Sequence, residues 1–200
     1  FNSPEISPLP GTAVELSRVK KFFNEENVTI LSKSNATESA LKAIDKPKIL
    51  HVATHGFFES DEEVQDTRSL KKSNPLIRSG LLTAGNRRSD GIFTAYDAMN
   101  LNLYGTDLVV LSACETGLGD VVNGEGVYGL SRAFTIAGAR NTIMSLWKVD
   151  DIATQELMTA FYSKWLKTND IKSSFREAQL ALKEKYASPY YWASFVLVSN

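Results

Sequence analysis

Apolar residues recur along this chain in two alternating rhythms, and the alternation itself predicts the architecture. Val14, Leu16, Val19, Phe22 and Phe23 lie on one helical stripe behind Thr12-Ala13-Val14-Glu15, which has capping-box spacing, so a helix is expected from about 12 to 25. Val28-Thr29-Ile30-Leu31 reads as a short strand, and Asn35-Ala36-Thr37-Glu38 again has capping-box spacing ahead of Ala40, Leu41 and Ile44. With the strand expected over 48–54, these segments make a βαβ unit. That second strand is apolar on both faces except for His51, the pattern of a parallel strand covered on both sides.

The rhythm stops from Glu59 to Ser79, where acids, bases, Ser, Asn and Pro mix in a long surface loop, a length that in compact domains often marks a lid or binding loop. Gly80–Thr83 and Gly91–Phe93 then read as a hairpin, and Thr94 as the cap of a short helix over 95–99. A central strand follows over 107–113. Beyond a glycine-rich loop, Gly117 to Gly126, a helix carries Val127, Leu130, Ala133, Phe134 and Ala137 at core spacing and stops at Gly138. Thr142–Trp147 is a further strand, Asp150 or Asp151 caps a helix through Leu166, a second amphipathic helix covers 172–186, and Ala193–Val198 is a last strand. The β/α alternation predicts an α/β fold, a mostly parallel twisted sheet between two helical layers.

Length and composition narrow this further. Two hundred residues suit one domain, 1–200, with a full core. The 22 basic and 23 acidic residues cancel, so no overall field points to nucleic acid or an anionic membrane. No apolar stretch reaches the ~18 residues of a membrane span, and a single cysteine forms no intrachain disulfide, which favours a reducing, cytoplasmic setting. The lack of an initial Met and the lead-in punctuated by Pro4, Pro8 and Pro10 suggest a module behind a linker in a longer polypeptide.

The candidate chemistry sits at two strand ends. Leu108–Ala113 delivers the only cysteine, Cys114, to a polar, Gly-rich turn, and Ile49–Thr54 breaks at His55-Gly56. In open α/β sheets, functional residues gather at the carboxyl ends of strands. A thiol beside an imidazole becomes a nucleophile with its base. The bland alternative for Cys114 is a buried structural thiol, which would belong inside the strand. His51 and His55, four apart on a strand, are ~13 Å apart, so they cannot share a metal ion, and one Cys adds too few ligands for zinc. His51 reads as a hydrogen-bonded core residue and His55 as the base. The backbone N–H groups of Gly56 and Cys114 are candidates for an oxyanion hole.

Gly124-Glu125-Gly126-Val127-Tyr128-Gly129 matches the G-x-G-x-x-G dinucleotide fingerprint, but residues 114 to 123 separate it from the strand that should feed it directly. No cofactor is expected. Asp150 and Asp151 admit two roles: one carboxylate caps a helix, and the other either does the same or lines a pocket selecting a basic side chain.

Five motifs in order resemble the CHAT domain, a caspase-like cysteine peptidase family allied to separase: Leu50–Gly56, Asp107–Gly117, Gly124-Glu125-Gly126, Ser145–Asp151 and Tyr190–Phe195. The resemblance implies a caspase-like αβα sandwich and a Cys–His endopeptidase. Cys114 would attack the scissile carbonyl, His55 would protonate the leaving amine, and the Gly56 and Cys114 amides would hold the oxyanion. Trp147, Asp150 and Asp151 would contribute to the primary specificity pocket. The partners it implies are a protein or peptide substrate and upstream tetratricopeptide-type repeats that gate activity. A catalytically silent docking domain is the main alternative, and a nucleotide-binding domain a lesser one.

Overall fold

In a computed structural model, residues 9–58, 75–86, 89–114, 125–147 and 149–200 are described, and they divide into two compact units. The loop expected over 59–79 and the glycine-rich loop over 117–126 lie mostly outside the described residues.

The larger unit, residues 29–149 and 193–200, is built on a sheet. Its strands are β1 (Ile49–Phe58), β2 (Ser79–Leu82), β3 (Ile92–Thr94), β4 (Leu108–Cys114), β5 (Asn141–Ser145) and β6 (Phe195–Ser199), in the order β3-β2-β1-β4-β5-β6. β4 lies parallel to β1 and to β5, whereas β2, β3 and β6 pair antiparallel at the two edges. The sheet is therefore mixed, parallel at its centre. With α1 the helix Pro10–Lys20 of the smaller unit, the α-helices of this unit among the described residues are α2 (Glu38–Lys42), α3 (Ala95–Met99) and α4 (Glu125–Ile136). Leu50, Leu81, Phe93, Val109, Leu111 and Met144 from one sheet face join Leu41, Ala95, Ala98, Leu130, Ala133 and Phe134 in one buried cluster. Alanine at the helix positions lets the helix backbones approach the sheet closely.

Local chemistry explains the short helices. Thr94 and Asp97 form a full capping box at α3: Thr94 Oγ1 accepts from the Asp97 N–H at 3.2 Å, and Asp97 Oδ2 accepts from the Thr94 N–H at 2.9 Å. The N-cap of α2 is Thr37, whose Oγ1 accepts from the Ala40 N–H, and not Asn35 as the spacing suggested. Gly138, at φ +109, turns the chain after α4, and its flat side faces the backbone of Tyr104.

Two expectations about the strands fail. Val28–Leu31 forms no strand; Ile30 and Leu31 are exposed, and without a strand partner their apolar run has no ladder to join. The first expected βαβ unit is consequently absent. β1, in turn, runs past its expected end at Thr54 to Phe58, and over its last residues its other edge pairs antiparallel with β2, Gly56 with Leu81 and Phe57 with Gly80. Thr54 Oγ1 donates to the Leu82 carbonyl at 2.6 Å just before this pairing.

The smaller unit, residues 9–28 and 150–192 as described, is helical: α1, α5 (Asp151–Thr168), α6 (Ile171–Lys185) and α7 (Pro189–Trp192). α1 starts at Pro10, whose fixed φ and missing N–H suit a first helical turn, while Thr12 Oγ1 donates to the Leu9 carbonyl in place of the expected cap. An aromatic cluster fills this unit. Phe161 stacks on Trp165 at 5.6 Å and meets Phe175 edge-on at 5.9 Å, and Phe22 and Phe23 pack on Tyr162. Complete burial, with the Glu15 charge adding to it, pushes the Tyr162 hydroxyl far above its ordinary value, so it stays neutral.

Candidate active site

His55 and Cys114 are register partners. The parallel pairing of β1 and β4 runs without a break from Ile49–Leu108 through His51–Val110 and Ala53–Ser112 to His55–Cys114. Adjacent strands lie ~4.8 Å apart and partnered residues of a parallel pair share a face, so the two positions sit side by side on one face of the sheet. They occupy the level of the last described residue of β4, just before β1 pairs with β2 along its other edge. This is the carboxyl edge of the central strands, where an open α/β sheet places its chemistry.

The pleat separates the two faces of β1. Leu50 belongs to the buried core, with Val52 packed against it, so His51, Ala53 and His55 occupy the opposite face with Val110, Ser112 and Cys114 of β4. His55 is partly exposed, while Val110 is fully buried and Ser112 nearly so. His51 sits two register steps deeper, beside Val110, and is set apart from the Cys114 level. Gly56, the residue after His55, is buried and pairs with Leu81.

The acidic pair lies in the helical unit and is engaged there. Asp150 caps α5, its Oδ1 accepting from the Ile152 and Ala153 N–H groups at 3.0 and 2.9 Å. Asp151 Oδ2 accepts from the Gly11 N–H at 3.1 Å. Helix capping by one of the pair was legible in the sequence; the bond from Asp151 to α1, 140 positions away, was not. Trp147 is partly buried two residues after β5. Of the glycine decoy, Gly124 lies outside the described residues, and Gly126 and Gly129 fall within α4.

A six-stranded mixed sheet, parallel at its centre and covered by helices, is the fold of the caspase-like class of α/β proteins. The chain is a member of the CHAT domain family, whose sequence model matches residues 2–200. It is also similar to Tetratricopeptide repeat protein 28 of Homo sapiens, 32% identical over 215 aligned residues that cover 96% of this chain and 8% of that protein. The Mus musculus protein of the same name is 33% identical over 111 residues, 54% of this chain and 4% of that protein. The chain thus spans less than a tenth of the length of these curated relatives. No helix among the described residues is long and apolar enough to cross a membrane.

Proposed function

We propose that this domain is a cysteine endopeptidase acting through a Cys114–His55 dyad. The observation that carries the reading is the register pair: a thiol-bearing and an imidazole-bearing residue at the same level of two adjacent parallel strands. His55 takes the Cys114 thiol proton, and the sulfur attacks the scissile carbonyl carbon. The N–H groups of Gly56 and Cys114 receive the oxyanion that forms. Collapse of the tetrahedral adduct breaks the C–N bond as His55 returns its proton to the leaving amine, leaving an acyl thioester. Water, deprotonated by His55, then releases the acid and restores the thiol.

Trp147, Asp150 and Asp151 are the proposed contributors to the primary specificity pocket, and a carboxylate there would favour Arg or Lys before the cut bond. The names of the relatives describe tetratricopeptide repeat proteins, which supports repeats of that kind alongside this domain; in this reading they gate it. The working site is cytoplasmic in this reading, where a reducing environment keeps Cys114 free.

The test is cleavage of a peptide or proteome library by the full-length protein with its activating partners, compared with Cys114→Ala. Products present with wild type and absent with the variant support the peptidase. Identical libraries, with an unchanged biological role for Cys114→Ala, would point to a docking domain instead.

A further inference from the structure

A catalytic imidazole must be held in one orientation and one tautomer by a further group. On the face that carries His55 and Cys114, β1 supplies Ile49, His51, Ala53, His55 and Phe57, and β4 supplies Leu108, Val110, Ser112 and Cys114. None of these positions is a carboxylate. His51 is four residues from His55 on the same strand, ~13 Å away and out of reach. Among the described positions of these two strands on this face the one hydroxyl is that of Ser112, which pairs in register with Ala53 and is therefore a diagonal neighbour of His55, ~8 Å between Cα atoms and within reach of a long side chain.

The sequence makes that hydroxyl conspicuous. Val110 and Ile143, one level deeper on the same face, are apolar and fully buried, as a central parallel strand requires. Ser112 is only 5% exposed in the position where another Val would bury better. A buried hydroxyl is costly unless it is hydrogen-bonded, and neither Ser112 nor His55 stands without an interaction partner in the fold. Ala53, the register partner of Ser112, is a small residue. Ser145, in β5 directly after the Leu111–Met144 pair, is fully buried one strand further from His55 and offers a matched comparison.

We propose that Ser112 is a positioning residue whose hydroxyl orients the His55 imidazole toward Cys114. The inference rests on the Cys–His reading above. Two features of the chain make the test specific: Cys114 is its only cysteine, so alkylation reports one thiol, and it has only two histidines, so ring nitrogen spectra resolve both.

The experiment measures alkylation of Cys114 by iodoacetamide and long-range 1H–15N spectra of the two imidazoles in the intact chain. Ser112→Ala should slow alkylation roughly two- to tenfold, the effect of one hydrogen bond, and change the tautomer signature of His55. Ser112→Thr should retain both wild-type values, and Ser145→Ala should leave both unchanged. If Ser112→Ala does not fold, Ser112→Thr against Ser112→Val makes the same comparison at nearly constant volume. An unchanged His55 ring without the hydroxyl, or a change confined to His51, overturns the proposal. His55→Ala separates the two ideas: if it slows alkylation while loss of the Ser112 hydroxyl does not, the dyad stands and the positioning role falls. If His55→Ala itself leaves alkylation unchanged, the dyad reading fails.

Discussion

His55 and Cys114 are register partners on the parallel strands β1 and β4. A slip of one register step would part the two, because it moves every side chain of a strand to the other face. The pairing is set far below the site. It begins at Ile49–Leu108, beside a polar staple in which Asp107 bonds Lys48 and Arg140 at 2.8 and 2.7 Å, and seven consecutive pairs carry it to Cys114. A surface network of this kind contributes little stability, yet it marks where the two strands start in step.

The first prediction concerns reactivity. If the imidazole at this level serves the thiol, His55→Ala should lower the rate of Cys114 alkylation at pH ~6.5 by about tenfold or more, since an unassisted thiol is mostly protonated there. His51→Ala, two register steps away, should change it little. Mass-spectrometric labelling rates of the single cysteine measure both, and equal rates in wild type and His55→Ala would remove the imidazole from the chemistry.

Much of this fold is written locally. The β2–β3 hairpin, the Thr94 box of α3, the Asp150 cap of α5 and the stop at Gly138 follow from turn and capping residues within a few positions of one another. What the sequence conceals is partnership over distance. Val28–Leu31 has strand composition but joins no ladder among the described residues, and His55-Gly56 reads as a break although β1 continues there beside β2. The strands bearing His55 and Cys114 are legible as apolar runs, whereas their register depends on a contact between segments 59 residues apart. Ser112 carries no local signal for a related reason: the face it shares with His55 is visible only once the strands are aligned.

Asp150 separates stability from selectivity. Its Oδ1 accepts two backbone N–H bonds, and an asparagine side-chain oxygen accepts them as well, so Asp150→Asn should keep the α5 cap while Asp150→Ala should lose about 1 kcal/mol. Chemical denaturation reads the difference. If the carboxylate also selects a basic side chain before the cut bond, Asp150→Asn should weaken cleavage after Arg and Lys at unchanged stability. Unchanged cleavage preference in that variant would limit Asp150 to capping.

Acid should loosen the contact between α2 and α3. Burial alone would raise the Asp97 carboxyl, but its bonds to Lys42, at 2.8 Å, and to Thr94 outweigh that and hold it below its ordinary value. Glu38 is likewise lowered by Lys42 and Ser89. A carboxyl depressed on folding stabilises the folded state above its unfolded value of about 4, and that contribution is lost as pH falls through the lower folded value. Stability should therefore decline below pH ~4, and Asp97→Asn, already without the charge, should show a shallower decline. Parallel acid limbs in the two proteins would contradict this account.

The bond between Gly11 and Asp151 should be the most sensitive joint of the helical unit. A Cβ at Gly11 would lie 2.7 Å from the Asp151 Cβ and closer still to its carboxylate, so Gly11→Ala must displace the side chain that accepts the Gly11 N–H. Gln155, a buried residue one turn along α5, also reaches the Gly11 carbonyl, at 3.4 Å, and would lose its partner with the shift. Gly11→Ala should cost on the order of 1–3 kcal/mol, the range for overpacking. The cost should shrink in an Asp151→Ala background, because the obstructing carboxylate is gone, and a double-mutant cycle by denaturant unfolding measures that coupling directly. Strictly additive losses would mean that the strain at Gly11 arises elsewhere.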